Sequence, residues 1–182
     1  HLEHRRQRQM CIRDRNTETG TINLNGNSIT YGSNVTFDNV SINGTGKIIG
    51  SENIFIDNTS TISGGIEIIS GGTITVQESV IGSGVNTLLN SVTLYARNGL
   101  IIENSSTVRG FSIISGGTTS ITNANYLGAL LHDGGYFSIS NSTITGSVVS
   151  KSGLNIVNSS ITKGDLPPIY GTPYGLEGMV IP

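Results

Sequence analysis

Six side chains carry most of the chemistry this chain can offer: Asp38, Asp57, Glu103, Tyr95, Arg97 and Arg109. Asp38 is the penultimate residue of YGSNVTFDN (Tyr31–Asn39), and Asp57 holds the same place in IGSENIFIDN (Ile49–Asn58). Gln77 and Glu103 continue that row. If the phrases stack as adjacent strands, the two aspartates stand about 5 Å apart. Such a pair can bind calcium, share one proton, or act as the two carboxyl groups of a retaining glycosidase. The alternation that turns Phe37 and Ile56 inward turns both acids outward, where carboxylates are solvated and weakly coupled. Catalysis needs a walled cleft and a proton-transfer geometry as well as two acids.

Tyr95 and Arg97 form a second constellation. The apolar doublets Leu88-Leu89 and Ile113-Ile114 are 25 residues apart, where later doublets step by about 18. This places an insertion of about seven residues near Ser91–Asn98, carrying Tyr95 and Arg97 with Arg109 close in sequence. Insertions in repeat folds bulge from one face and often bind ligands. A ring beside a guanidinium suits a sugar, by stacking and hydrogen bonding. The simpler alternative is a surface loop with Tyr95 packed down on the coil. His132-Asp133 is a turn pair, and one histidine makes no metal site. GSGVN (Gly82–Asn86) and the SGG turns lack the strand-to-helix setting of a phosphate loop. No catalytic residue and no metal ligand is assigned; calcium on the acidic row is the one cofactor raised.

The elements that position these residues repeat. Gly99, Gly117, Gly135 and Gly153 are 18 residues apart, and each opens a similar phrase. A fixed period of this length marks a solenoid, whose repeats bury their apolar faces only by stacking. Each repeat has a doublet (Ile48-Ile49, Ile68-Ile69, Leu130-Leu131, Val148-Val149), an alternating run after glycine (Ile54-Phe55-Ile56, Ile74-Thr75-Val76) and a single apolar residue (Ile62, Val108, Ile144, Ile161). Three strands per repeat and no 3.6-residue apolar period predict an all-β, single-stranded parallel β-solenoid: three-sided, about seven or eight coils, and roughly 35–40 Å long. Asn39, Asn58, Asn104, Asn123, Asn141 and Asn158 form a row interrupted by Glu78. That row predicts a buried corner in which stacked amides bond to one another and to the turns.

These rungs resemble a right-handed parallel β-helix, the architecture of pectate-lyase-like proteins, tailspikes and bacterial surface proteins. The phrases Leu94–Gly110 and Gly146–Gly164 are similar to solenoid segments of envelope and pilus-associated proteins. The resemblance spans about Gly20 to Gly164 and brings no catalytic residue with it, because the few basic residues sit in no lyase motif. A left-handed hexapeptide helix is disfavoured: Ile139, Ile144, Val149 and Ile156 step by 5, 5 and 7.

Composition divides the 182 residues in three. The segment RRQRQMCIRDR resembles a translated sequencing adaptor from assembled environmental DNA, so residues 1–15 are set aside as a non-native, disordered leader. It contains five of the ten basic residues, two of the twelve acids and the only cysteine, leaving five basic against ten acidic groups in the body. Residues 16–164 are the solenoid. Proline removes a ladder donor, and all four prolines follow Gly164, so 165–182 is a cap or a linker. The body is read as an internal or truncated piece of a longer protein.

Only 12% of residues are charged. A coat of Ser, Thr and Asn excludes electrostatic capture of nucleic acid, and no apolar run is long enough to span a membrane. A thiol-free body fits an extracellular or cell-surface location. The expected function is a non-catalytic structural or adhesive shaft contacting glycans or other surface proteins, with trimerisation compatible but not required. The alternatives are a polysaccharide lyase or glycoside hydrolase fragment, and an ice-binding solenoid. Ice binding wants a continuous Thr row, and Thr73, Thr75, Thr118 and Thr119 are scattered.

Overall fold

A computed structural model of the chain describes residues 11–13, 17–82 and 92–164. These residues form one all-parallel β-solenoid of about seven turns, with no helix among them. Three ladders run along it. Ladder A stacks Ile54–Asp57, Thr73–Gln77, Gly99–Glu103, Thr118–Thr122, Phe137–Ser140 and Asn155–Val157 on the first half of Val35–Asn43. Ladder B runs from the second half of Val35–Asn43 through Thr61–Ile62 and Val80–Ile81 to Ser160–Thr162. Ladder C begins at Cys11–Arg13 and climbs through Asn27–Tyr31, Gly46–Gly50, Ile66–Ser70 and Val92–Ala96. Thr107–Ile114, Asn125–His132 and Thr143–Ser150 are single strands that bend from ladder B into ladder C. The leader set aside on composition thus includes one strand, Cys11–Arg13, registered on Ile29–Tyr31 at the 18-residue step. Residues 165–182, the expected cap or linker, lie outside the described residues.

The core follows from alternation. In ladder A, Val35, Ile54, Ile74 and Leu100 stack in one inward row, and Phe37, Ile56, Val76, Ile102, Ile121 and Ile139 in the next. Ladder B adds Ile42, Ile62, Ile81, Val108, Tyr126 and Ile144. Tyr31 meets Phe37 edge-on at 5.7 Å between ring centroids. Tyr126 brings a hydroxyl into this filling, and the sequence compensates locally. Ser112 stands in the row that Leu94 and Leu130 otherwise fill, and it accepts the Tyr126 hydroxyl at 2.8 Å.

The turn between ladders B and C explains the uneven period. Three residues link Ile62 to Ile66, whereas one residue, Arg109, links Val108 to Gly110. In the tight rungs the bend falls on glycine. Gly110 has φ 156° and Gly146 has φ 140°, and a Cβ on either would sit 1.9 Å from a carbonyl oxygen of the rung below. Only glycine fits such an approach.

Candidate functional site

The insertion is not where the doublets placed it. Val92–Ala96 is a regular strand of ladder C, in register with Ile66–Ser70 and with Gly110–Ile114. The extra residues fall between Ile81 and Val92, of which 83–91, including Leu88-Leu89, lie outside the described residues. Leu94-Tyr95 is the true equivalent of Ile68-Ile69, and Ser112-Ile113 follows it. The error arises at the turn between ladders C and A. That turn has two residues at Gly71-Gly72 and three at Ser115–Gly117, so matching the SGG phrases shifts the preceding strand by one.

Tyr95 and Arg97 nevertheless line one shallow cleft of about 260 Å³, with Ser70 and Ser115 on its rim. Tyr95 is buried against the coil and Arg97 is exposed. Arg109 is not with them. It precedes Gly110 at one end of a ladder C strand, whereas Arg97 aligns with Ser115 beyond the other end. Six residues of extended chain separate those levels, about 20 Å.

Asp38 and Asp57 are register partners on adjacent rungs, as are Gln77 and Glu103. All four are half-buried on the outward side of ladder A. Each is occupied locally. Asp38 Oδ1 accepts the Asn58 amide Nδ2 at 2.8 Å, and Asp57 Oδ1 accepts the Asn58 backbone N–H at 2.7 Å. Gln77 Nε2 donates to Glu103 Oε1. Among the described residues, no group of three or more His, Cys, Asp or Glu is placed to hold a metal ion. His132 and Asp133 part company. The ring of His132 is buried on Phe137 at 5.2 Å, while Asp133 pairs with Lys151 at 2.8 Å in solvent. That pair holds the Lys151 ammonium above its usual range, first through the hydrogen bond and then through the charge. The scattered threonines divide as well. Thr119 points into the core, and Thr75 is covered on the outer side.

The asparagine row holds its corner, but not as a buried ladder. Asn39, Asn58, Asn104, Asn123, Asn141 and Asn158 all have φ between 47° and 56° and are exposed, as is Glu78 at φ 47°. They are there because the turn from ladder A to ladder B needs a left-handed residue, which asparagine tolerates better than most. The covered row is the one beside it: Ser60, Ser79, Ser106 and Ser142 are buried, Ala124 stands in the row without a hydroxyl, and Ser159 is half-buried at its upper end. Ser60 Oγ accepts the Val40 N–H at 3.0 Å and donates to the Asp57 carbonyl at 2.6 Å. Ser106 accepts Ser79 N–H, and Ser142 accepts Ala124 N–H. Serine one or two residues after Asn58, Asn104, Asn141 and Asn158 is the signal that marks this row.

Along this A–B corner the exposed side chains border three adjoining shallow, open clefts. They are lined by Glu78, Asn104, Ser105 and Asn123 (about 600 Å³), by Ser105, Asn123–Asn125, Asn141 and Thr143 (about 260 Å³), and by Asn141–Thr143 with Asn158–Ser160 (about 570 Å³). Among the described residues no helix is long and apolar enough to cross a membrane. Comparison with protein-family models, with curated proteins and with solved structures gives no significant match to this chain.

Proposed function

We propose that this chain is a structural shaft: a length of right-handed parallel β-helix, of the broad pectate-lyase-like kind, that extends or presents other parts of an extracellular bacterial or phage surface protein. The observation that carries the reading is the three-ladder stack with a buried apolar filling from Val35 to Ile144. Such a column is stiff because neighbouring rungs share hydrogen bonds along its whole length. The separation of the chemistry-bearing residues supports the same reading. The acids lie at the A–B corner, Arg109 between ladders B and C, and the Tyr95–Arg97 cleft between C and A.

The test joins resistance to proteolysis with turnover. The protein should withstand thermolysin as a single unit, and Leu130→Asp, which buries an unpaired charge at a fully buried site, should abolish that resistance. Incubation with a panel of uronic-acid polymers should release no oligosaccharide. Product formation abolished by Asp57→Asn or Glu103→Gln would overturn the shaft in favour of a lyase or hydrolase.

A further inference from the structure

We infer that the upper part of the A–B corner, from Asn104 to Ser160, is a binding trough for an extended neutral polysaccharide. The inference goes beyond the shaft reading and rests only on the stacked coil. Three observations meet here.

The first is continuity. The three clefts share Ser105 and Asn123 at one junction and Asn141 and Thr143 at the next, so they make one furrow along the solenoid.

The second is the state of the amides. In the lower rungs the amides are already engaged by the neighbouring rung: Asn58 is tied to Asp38, and Asn39 Oδ1 accepts the Thr59 hydroxyl at 3.4 Å. In the upper rungs Asn104, Asn123, Asn141 and Asn158 are exposed, and their side chains make no hydrogen bond to the described protein. Each offers a carbonyl acceptor and two N–H donors. Each is aimed by the same left-handed backbone, with φ 56°, 50°, 48° and 47° in turn.

The third is spacing and charge. Successive amides rise by one strand separation, about 4.8 Å. A pyranose unit in an extended chain advances by nearly the same step, so one sugar can meet one rung. An extended peptide does not keep step, because its side chains on one face recur every ~6.6 Å. No Asp, Glu, Lys or Arg lines the two upper clefts, and the one charged residue of the trough, Glu78, closes its lower end. A polyanion meets no counter-charge there. The backbone that carries each amide is already fixed on the ladder, so binding a sugar chain orders only short side chains with two torsions each.

The test is an NMR titration of the side-chain amides of ¹⁵N-labelled protein with xylohexaose and cellohexaose. Hexagalacturonate and an extended polar peptide serve as comparison ligands. Shifts should appear at Asn104, Asn123, Asn141 and Asn158 with a neutral hexaose and stay absent from Asn58. The triple variant Asn104→Gly, Asn123→Gly, Asn141→Gly keeps the left-handed backbone open to it, so its melting profile should stay close to the parent's. It should weaken binding by at least about tenfold. Silence with both neutral hexaoses would overturn the inference. So would binding that survives in the triple variant, or an equal response to the polyuronate or the peptide. Thermal hysteresis without sugar binding would overturn it in favour of ordered water on the same furrow. None of these outcomes touches the thermolysin result, so the shaft and the trough stand or fall separately.

Discussion

Ser79 and Ser106 offer a matched pair for testing what holds the A–B corner together. They occupy the same row on adjacent rungs, and both are buried, at 2% and 0% exposure. Their hydroxyls differ in employment. Ser106 Oγ accepts the Ser79 N–H at 3.3 Å and donates within reach of the Glu103 carbonyl at 2.6 Å and the Val76 carbonyl at 3.2 Å. Among the described residues Ser79 Oγ has no hydrogen-bond partner. Ser106→Ala therefore strands a buried N–H and weakens the bonding of two carbonyls, a loss of about 1–3 kcal/mol. Ser79→Ala removes a buried hydroxyl that has nothing to bond, and should be neutral or stabilising by up to ~1 kcal/mol. In a chain of this size each kcal/mol moves the melting midpoint by about 2–4 °C. The two alanine variants should therefore shift in opposite directions or differ by several degrees. Amide exchange gives the local reading, because stacked rungs can open one at a time: the Ser79 N–H should lose protection in Ser106→Ala and keep it in Ser79→Ala. Equal effects of the two substitutions, in midpoint and in exchange, would refute the assignment of this row as the satisfied corner.

Two further outcomes follow from single residues. Glu78 holds a left-handed turn that its equivalents assign to asparagine, so Glu78→Asn should stabilise the fold by about 1 kcal/mol in guanidinium denaturation; an unchanged or lower midpoint counts against the conformational account. The Tyr126 hydroxyl is buried among Ser112 Oγ and the carbonyls of Ala129 (2.9 Å) and Gly110 (3.4 Å), and burial raises its pKa above the ordinary 10.0. Below pH ~10 the unfolded and folded tyrosine are both neutral and stability is intact. Above it only the unfolded form ionises, so stability falls as pH rises. Tyr126→Phe should lower stability at neutral pH by about 1–3 kcal/mol and flatten that alkaline decline.

The repeat was legible because strand alternation and turn residues recur together: Ile54, Ile74 and Leu100 stack as their glycine-led phrases require. The acidic row was legible for the same reason, since Asp38 and Asp57 keep one offset from a corner asparagine. Three things were not. The corner residues themselves could be placed but not oriented, because a left-handed surface asparagine and a buried ladder asparagine leave the same spacing in a sequence. The serine row was hidden because its offset from the corner residue varies between one residue, as at Asn141-Ser142, and two, as at Asn104–Ser106. The insertion was misplaced because Leu94 and Tyr95 do not look like an aliphatic doublet, whereas Leu88-Leu89 does. Nor can linear order tell that a five-residue strand puts Arg97 and Arg109 at opposite edges of one side.

From Gly110 upward the bend between ladders B and C has one form, a single residue followed by glycine, and Gly110, Gly128 and Gly146 recur every 18 residues. Rungs built this way share one backbone frame. Copying or deleting one whole unit in the gene would keep the backbone register of the ladders and change how far the column reaches, provided the Ser112–Tyr126 pair is kept together. Length in this region is thus open to adjustment in steps of one 18-residue unit, while the lower rungs, whose linkers run from three residues (Ile62 to Ile66) to ten (Ile81 to Val92), are committed to one arrangement.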